Sequence, residues 1–361
     1  MAGKLKFAVA GGGTGGHLFP ALSIAEELSA SGAGEIVFFG TARGPEARIV
    51  PQRGYKFHKI WIKGYPRRFK PEILLLPVKM AVSVLQCMFY LTRQWPDCLI
   101  ATGGYVCLPF MFAGKLLGLP AVIHEQNSLP GVTTRIGAKW AKAVFYSFEA
   151  SSRYFDYHPE AVLSGNPVKT DFSEVTKEDA SVKLGLDPGR KTLLVFGGSQ
   201  GAASLNNAVS EVIDRLSLKY NLIWGTGKGN LPDKLPQNVI AREFFDDMKT
   251  VYTASDLAVC RAGAITLAEL AAKGLPAILV PFPFAAEDHQ RLNAEPMAES
   301  GAAELILDRD FNDEIIFERV ESLMNDHDRL KQMSEKMKSF HRPDAVKIIA
   351  EKAFAIANQE Y

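Results

Sequence analysis

The chain has 361 residues, 47% of them hydrophobic and 22% charged, with a net charge of +1. That length exceeds what one compact core usually holds, so two domains are expected, and the composition excludes a disordered or fibrous chain. Near-neutral charge gives no support to a nucleic-acid partner. The four cysteines form no CxxC pair and have no zinc-finger spacing, which points to a reducing compartment and no structural metal. Met1-Ala2-Gly3-Lys4 runs directly into an apolar strand without a secretory pattern, so a cytoplasmic location is expected.

Short apolar runs at Leu5–Ala10, Ile36–Phe39, Leu99–Ala101, Ala121–Ile123 and Val144–Tyr146 predict buried parallel strands. Helical spacing lies between most of them, as at Leu18–Leu28 and Val132–Lys139. After Gly165-Asn166-Pro167 and a polar stretch to Arg190 the pattern restarts, with strands expected at Leu193–Phe196, Leu222–Trp224, Val239–Ala241, Leu257–Val259 and Ile278–Val280. Such alternation implies an α/β fold, each half a parallel sheet covered by helices on both faces. The expected divisions are residues 1–165, residues 166–342, and a terminal helix within 343–361 that packs back on the first domain.

The glycine run Gly11-Gly12-Gly13-Thr14-Gly15-Gly16 joins the first strand to a helix, where amides can approach an anion. No Gly-Lys-Ser/Thr follows it, so it is no P-loop. Gly40-Thr41-Ala42-Arg43 offers no acid after the second strand, which disfavours a dehydrogenase. His17 opens the helix, whose positive end favours a neutral imidazole able to take a proton from a sugar hydroxyl. His124-Glu125-Gln126-Asn127 ends one strand and Gly103-Gly104-Tyr105 follows its predecessor, at the edge where open α/β sheets bind ligands. Four successive polar side chains there suit hydrogen bonds to sugar hydroxyls.

In the second half, Gly197-Gly198-Ser199-Gln200-Gly201 can hold a diphosphate through its amides and the Ser199 hydroxyl. Glu269, early in the helix after Cys260-Arg261-Ala262-Gly263, can accept both hydroxyls of a ribose. Asp288, His289, Gln290 and Asn293 gather at a further strand end. Asp308-Arg309-Asp310 has the DxD pattern of metal-dependent sugar transferases but reads as a surface turn. No metal or other cofactor is expected.

Between Glu46 and Asp97 the one acid is Glu72, against ten lysines and arginines. Lys63, Arg67, Arg68 and Lys70 lead into an apolar stretch from Ile73 to Leu91 that Pro77, Lys79, Ser83 and Gln86 interrupt, so it is too broken to span a bilayer. It suits a helix lying on an anionic membrane surface.

Gly-Gly-Thr-Gly-Gly-His at Gly12–His17, His-Glu-Gln-Asn at His124–Asn127, Gly-Asn-Pro-Val at Gly165–Val168, Gly-Gly-Ser-Gln-Gly at Gly197–Gly201 and the Cys260–Glu269 segment occur in order. Together they resemble the MurG family, the UDP-N-acetylglucosamine:lipid I N-acetylglucosaminyltransferases of peptidoglycan synthesis. The resemblance spans essentially the whole chain. It implies a GT-B fold, two Rossmann-like domains with parallel sheets facing a central cleft, the first binding acceptor and the second UDP-sugar.

It also implies that Thr14, Gly15, Gly16 and Asn127 face the donor sugar, with Tyr105 at the same edge. Lys169, Ser199 and Gln200 would contact the nucleotide, Phe245, Ala264 and Ile265 the uracil, and Thr266, Leu267 and Ala268 the stretch leading to Glu269 at the ribose. Gln290 would hold the transferred sugar. His17 takes the general-base position, with Glu125 as the second catalytic candidate. The implied partners are UDP-N-acetylglucosamine, undecaprenyl-linked lipid I, the cytoplasmic membrane face and other cell-wall synthesis proteins. Lys169 replaces the usual arginine, and Arg291 stands where some members carry a second glutamine. A UDP-sugar 2-epimerase and a non-catalytic nucleotide-sugar-binding protein are the competing readings.

Overall fold

The computed structural model describes residues 4–63, 75–168, 172, 175–198 and 201–359. Arg67, Arg68, Lys70, Lys169, Ser199 and Gln200 lie outside these residues. The chain divides into two compact units, Met1–Lys169 with Arg342–Tyr361, and Thr170–His341.

In the first unit, strands β1 (Lys6–Ala10), β2 (Glu35–Gly40), β3 (Lys56–Lys59), β4 (Cys98–Ala101), β5 (Ala121–Glu125), β6 (Ala143–Tyr146) and β7 (Ala161–Leu163) form one parallel sheet in the order β3-β2-β1-β4-β5-β6-β7. In the second, β8 (Thr192–Phe196), β9 (Asn221–Gly225), β10 (Val239–Arg242), β11 (Leu257–Cys260), β12 (Ala277–Leu279) and β13 (Ala303–Leu305) order as β10-β9-β8-β11-β12-β13, again all parallel. Helices bury both faces of such a sheet, which is why its inner strands are continuous apolar runs such as Phe7–Ala10 and Leu193–Val195, every residue fully buried. The expected pair of Rossmann-like sheets is therefore present. β3 and β7 were not anticipated. Both are edge strands whose residues are only half-buried or exposed, so neither shows the apolar run that marks the others.

The helix Ala345–Ala357 returns to the first unit, where Ile349, Ala350, Ala353 and Ile356 are buried with Leu18, Leu22 and Ala25 of the helix Gly15–Ala30. Phe354 meets Phe7 edge-on at 5.2 Å. Lys352 pairs with Glu160 at 2.8 Å.

The helix Leu76–Gln94 is amphipathic in an unusual sense. Ser83, Cys87 and Leu91, at four-residue spacing, are its only buried residues. Val78, Leu85 and Phe89 lie 49–65% exposed on other faces, beside exposed Trp61 and Leu75. No described helix is long and apolar enough to cross a membrane.

Candidate functional site

In both sheets the strand order reverses beside the first strand, at β1/β4 and at β8/β11. The loops that leave these switch points are the glycine-rich ones, and in open α/β sheets ligands bind beyond such points.

At the first switch point His17 lies in the opening turn of the helix Gly15–Ala30, after the exposed N-cap Thr14, whose side chain makes no capping bond. Its Nδ1 is 3.0 Å from the Thr102 carbonyl oxygen and 2.8 Å from Gln126 Oε1. Gly103, at φ +96°, packs on the ring so closely that a Cβ there would stand 2.8 Å from Nδ1. Glycine is thus required for its backbone angle and for its lack of a side chain. Tyr105 is half-buried against Gly13, and Gly15 is half-buried while Gly16 is exposed.

The His124–Asn127 run departs from the sequence expectation. His124, Glu125 and Gln126 are at most 2% exposed, and their polar atoms are bonded within the protein. Glu125 Oε1 accepts from the Asn127 amide at 3.0 Å and from Asn127 Nδ2 at 3.2 Å, and Oε2 accepts from the Gly131 amide at 3.0 Å. A carboxylate so engaged shapes the loop 125–131 rather than offering itself to a substrate. Only Asn127 of the four is appreciably exposed. His124 Nε2 bonds the Gly165 carbonyl at 3.0 Å, and Asn166 Nδ2 donates to the Gln126 carbonyl at 3.1 Å, which ties the Gly-Asn-Pro motif to this strand end.

One residue that shapes this loop was not anticipated. Glu46, 1% exposed, accepts from the Gly13 amide at 3.1 Å, from the Thr41 amide at 3.0 Å and from the Thr41 hydroxyl at 2.9 Å. The anion expected at the first glycine loop is thus, at Gly13, the chain's own carboxylate. A phosphate placed there would meet a buried negative charge. The available signal was an acid five residues after Thr41, facing two glycine-rich turns.

At the second switch point, Gly198 and Gly201 adopt φ of +86° and +74°, and a Cβ on Gly201 would stand 2.5 Å from the Thr226 carbonyl oxygen. The helix Ala264–Lys273 starts behind Gly263. Ile265, Thr266 and Ala268 are half-buried and Ala264 is buried, while Leu267 is wholly buried and its amide donates to the Gly263 carbonyl at 3.0 Å. The Leu267 side chain therefore packs inward, away from any ligand surface the half-buried neighbours could offer. Half-buried Glu269 accepts from the Tyr252 hydroxyl at 2.8 Å. Burial pushes its carboxyl up to about 7, against the opposing effect of that hydrogen bond. Phe245 is 5% exposed with Arg242 over its ring, whereas its neighbour Phe244 is 54% exposed.

Gln290 Oε1 accepts from the Phe282 amide at 2.9 Å. Arg291 is engaged by Asp288, immediately before its helix, and by Glu295 one turn further along it. Glu287 and Asp288, at φ +50° and +56°, sit in the left-handed region that non-glycine residues seldom adopt, and such strain gathers at ligand sites. Asp308 takes bonds from Arg261 at 2.5 Å and Ser204 at 2.6 Å, so its carboxylate anchors a turn. Among the described residues no cluster of three or more His, Cys, Asp or Glu is disposed to hold a metal ion.

Residues 7–146 match the glycosyltransferase family 28 N-terminal domain and residues 192–349 the family's C-terminal domain. Among curated relatives, proteins from Chlorobaculum tepidum and Acetivibrio thermocellus are 38% and 35% identical. The alignments cover 98% and 96% of this chain and 100% and 97% of theirs. Both relatives are named UDP-N-acetylglucosamine–N-acetylmuramyl-(pentapeptide) pyrophosphoryl-undecaprenol N-acetylglucosamine transferase. The crystal structure of Acinetobacter baumannii MurG superposes with a TM-score of 0.77 at 28% identity, covering 98% of this chain and 99% of that one. The crystal structure of Medicago truncatula UGT71G1 complexed with UDP-glucose shares the fold at a TM-score of 0.69 and 13% identity, over 98% of both chains. With its two switch-point glycine loops, its paired parallel sheets and this near full-length kinship, the chain belongs to glycosyltransferase family 28, and within it to the MurG family.

Proposed function

We propose that this chain transfers N-acetylglucosamine from UDP to the 4-hydroxyl of the N-acetylmuramoyl unit of undecaprenyl-linked lipid I, with inversion at the anomeric carbon. The observation that carries this reading is the relation to the named transferases at 35–38% identity over nearly the whole chain. The site geometry supports it. His17 is held through Nδ1 by two acceptors, and Nε2 has no hydrogen-bond partner among the described residues. That leaves it to take the acceptor hydroxyl proton as the oxygen attacks and UDP departs.

The first unit would hold the acceptor and the second the nucleotide, with Glu269 accepting from the ribose hydroxyls. Thr14, Gly15, Gly16, Tyr105 and Asn127 would line the sugar, Gln290 would hold its hydroxyls, and Phe245, Ala264, Ile265, Thr266 and Ala268 would meet the base and ribose. Lys169, Ser199 and Gln200 are assigned to the nucleotide by motif alone. Charge on the departing diphosphate would be met by amides at the opening of the helix Ala203–Ser217. Asp308, already neutralised by Arg261, is a poor candidate to ligate a metal.

The lipid-linked substrate requires the enzyme to work at a membrane. The outward apolar stripe of the helix Leu76–Gln94, with Lys79 near Trp61 and Arg93 stacked on Phe89, would rest on the anionic cytoplasmic face. The test is mass spectrometry of products from UDP-N-acetylglucosamine and a short-chain lipid I analogue in EDTA. A disaccharide product with UDP release is expected. Appearance of UDP-N-acetylmannosamine without transfer would instead establish the epimerase, and magnesium-dependent activity would bring Asp308 and Asp310 back as ligands.

A further inference from the structure

Three backbone carbonyls bear on the protonation of two histidines, and a carbonyl oxygen can only accept a hydrogen bond. At the buried end His124 Nε2 lies 3.0 Å from the Gly165 carbonyl and 3.3 Å from the Ser147 hydroxyl. Nε2 therefore carries the hydrogen. Burial keeps this imidazole neutral, its pKa lowered to about 4, so its Nδ1 is bare and must accept.

Gln126 lies on that nitrogen, its Nε2 2.9 Å from His124 Nδ1 and 3.1 Å from the His124 carbonyl oxygen. Turning the amide over would set its oxygen against a lone pair and a carbonyl at once, so the network fixes the side chain's orientation. The oxygen of Gln126 then faces His17 Nδ1 at 2.8 Å, where the Thr102 carbonyl oxygen also stands at 3.0 Å. Two acceptors on one ring nitrogen require that nitrogen to bear the hydrogen.

We propose that Gln126 and His124 are positioning residues that, with the carbonyls of Thr102 and Gly165, lock His17 as its Nδ1–H tautomer and leave Nε2 as the nitrogen that accepts the proton. The inference rests on the reading of His17 as the base. Ring orientation is fixed with the tautomer, because Gly103 leaves no room on one side of the ring. In serine proteases a comparable orienting group acts through the histidine's tautomer, and its loss lowers kcat by about 10⁴. Here the Thr102 carbonyl remains when Gln126 is removed, so a smaller loss follows.

The experiment is ¹⁵N NMR of the full chain labelled at histidine, with His17 assigned from the His17→Ala spectrum, alongside kinetics of Gln126→Met. At neutral pH His17 should show a pyrrole-like Nδ1 and a pyridine-like Nε2. Gln126→Met should lower kcat at least about 10-fold while KM for UDP-N-acetylglucosamine stays within about 2-fold. The proposal is overturned if wild-type His17 proves to be the Nε2–H tautomer or a mixture, a result that does not depend on how the variant folds. It is equally overturned if Gln126→Met, with the signals of the remote histidines His58 and His158 unmoved, retains full kcat. Undiminished turnover in His17→Ala would instead remove the base reading while leaving the tautomer assignment standing.

Discussion

Replacing Glu46 with alanine tests the finding that the first glycine loop is braced from within. The carboxylate receives two backbone amides and one hydroxyl at 2.9–3.1 Å. Bonds to a charged acceptor are worth about 1.5–3 kcal/mol each, and a buried donor left unpaired costs about 1–3 kcal/mol. Thr41 is 5% exposed, so its amide would stay unpaired, whereas Gly13 is half-buried and can recover water in part. The Thr41 hydroxyl can rotate to another acceptor. The sum is about 3 kcal/mol for local opening, equivalent to roughly 100-fold faster amide exchange, since 1.4 kcal/mol is a factor of ten. Hydrogen–deuterium exchange of peptides spanning residues 11–16 and 40–46 reads this directly. Glu46→Gln keeps one acceptor oxygen but turns an NH2 group toward a donor, so an intermediate acceleration is expected. Exchange in Glu46→Ala unchanged within 3-fold would refute the bracing argument.

Further outcomes follow from the same geometry. With its carboxyl pushed up to about 7, Glu269 is about half protonated in neutral solution; if it accepts from ribose as a carboxylate, UDP binding at pH 7 releases roughly half a proton. Calorimetry in buffers of differing ionisation enthalpy should show that release, and Glu269→Gln should abolish it. The same raised value lowers stability as pH rises from about 4.5 to 7, because the unfolded chain gives up its proton first. His124 acts in the opposite direction: neutral when folded down to about pH 4, it loses about 3 kcal/mol of stability as pH falls from 6.5 toward 4, because the unfolded chain binds the proton first. A urea-midpoint series should therefore fall less steeply below pH 6.5 in His124→Asn than in wild type. Leu85→Glu and Phe89→Glu, at exposed positions, should leave the urea midpoint within error and cut sedimentation with anionic vesicles several-fold. Equal sedimentation would remove that helix from the membrane account.

The inner strands could be read from sequence because a parallel sheet covered on both sides forces continuous apolar runs, as in Phe7–Ala10 and Leu257–Cys260. β3 and β7, wet at the sheet edges, carry no such signature. The His124–Asn127 run misled for a different reason. Polar residues at a strand end look alike whether their partners are ligand hydroxyls or buried groups of the chain itself, and only the fold brings His17, Gly165 and Gly131 to them. Leu267 was grouped with its neighbours by motif, although helical periodicity turns it inward. Glu46 escaped notice because its partners at Gly13 and Thr41 lie in two different turns. His17, by contrast, stands in the opening turn of its helix and Glu269 midway along the helix that follows Gly263, both in strand–glycine–helix segments that can be identified locally.

The central claim, that His17 takes the acceptor proton in a sugar transfer, is tested most directly by comparing wild type with His17→Ala in the lipid I analogue assay while measuring UDP affinity in parallel. The account predicts a kcat lowered about 10²–10⁴-fold with UDP affinity unchanged. Wild-type kcat in the variant would contradict it.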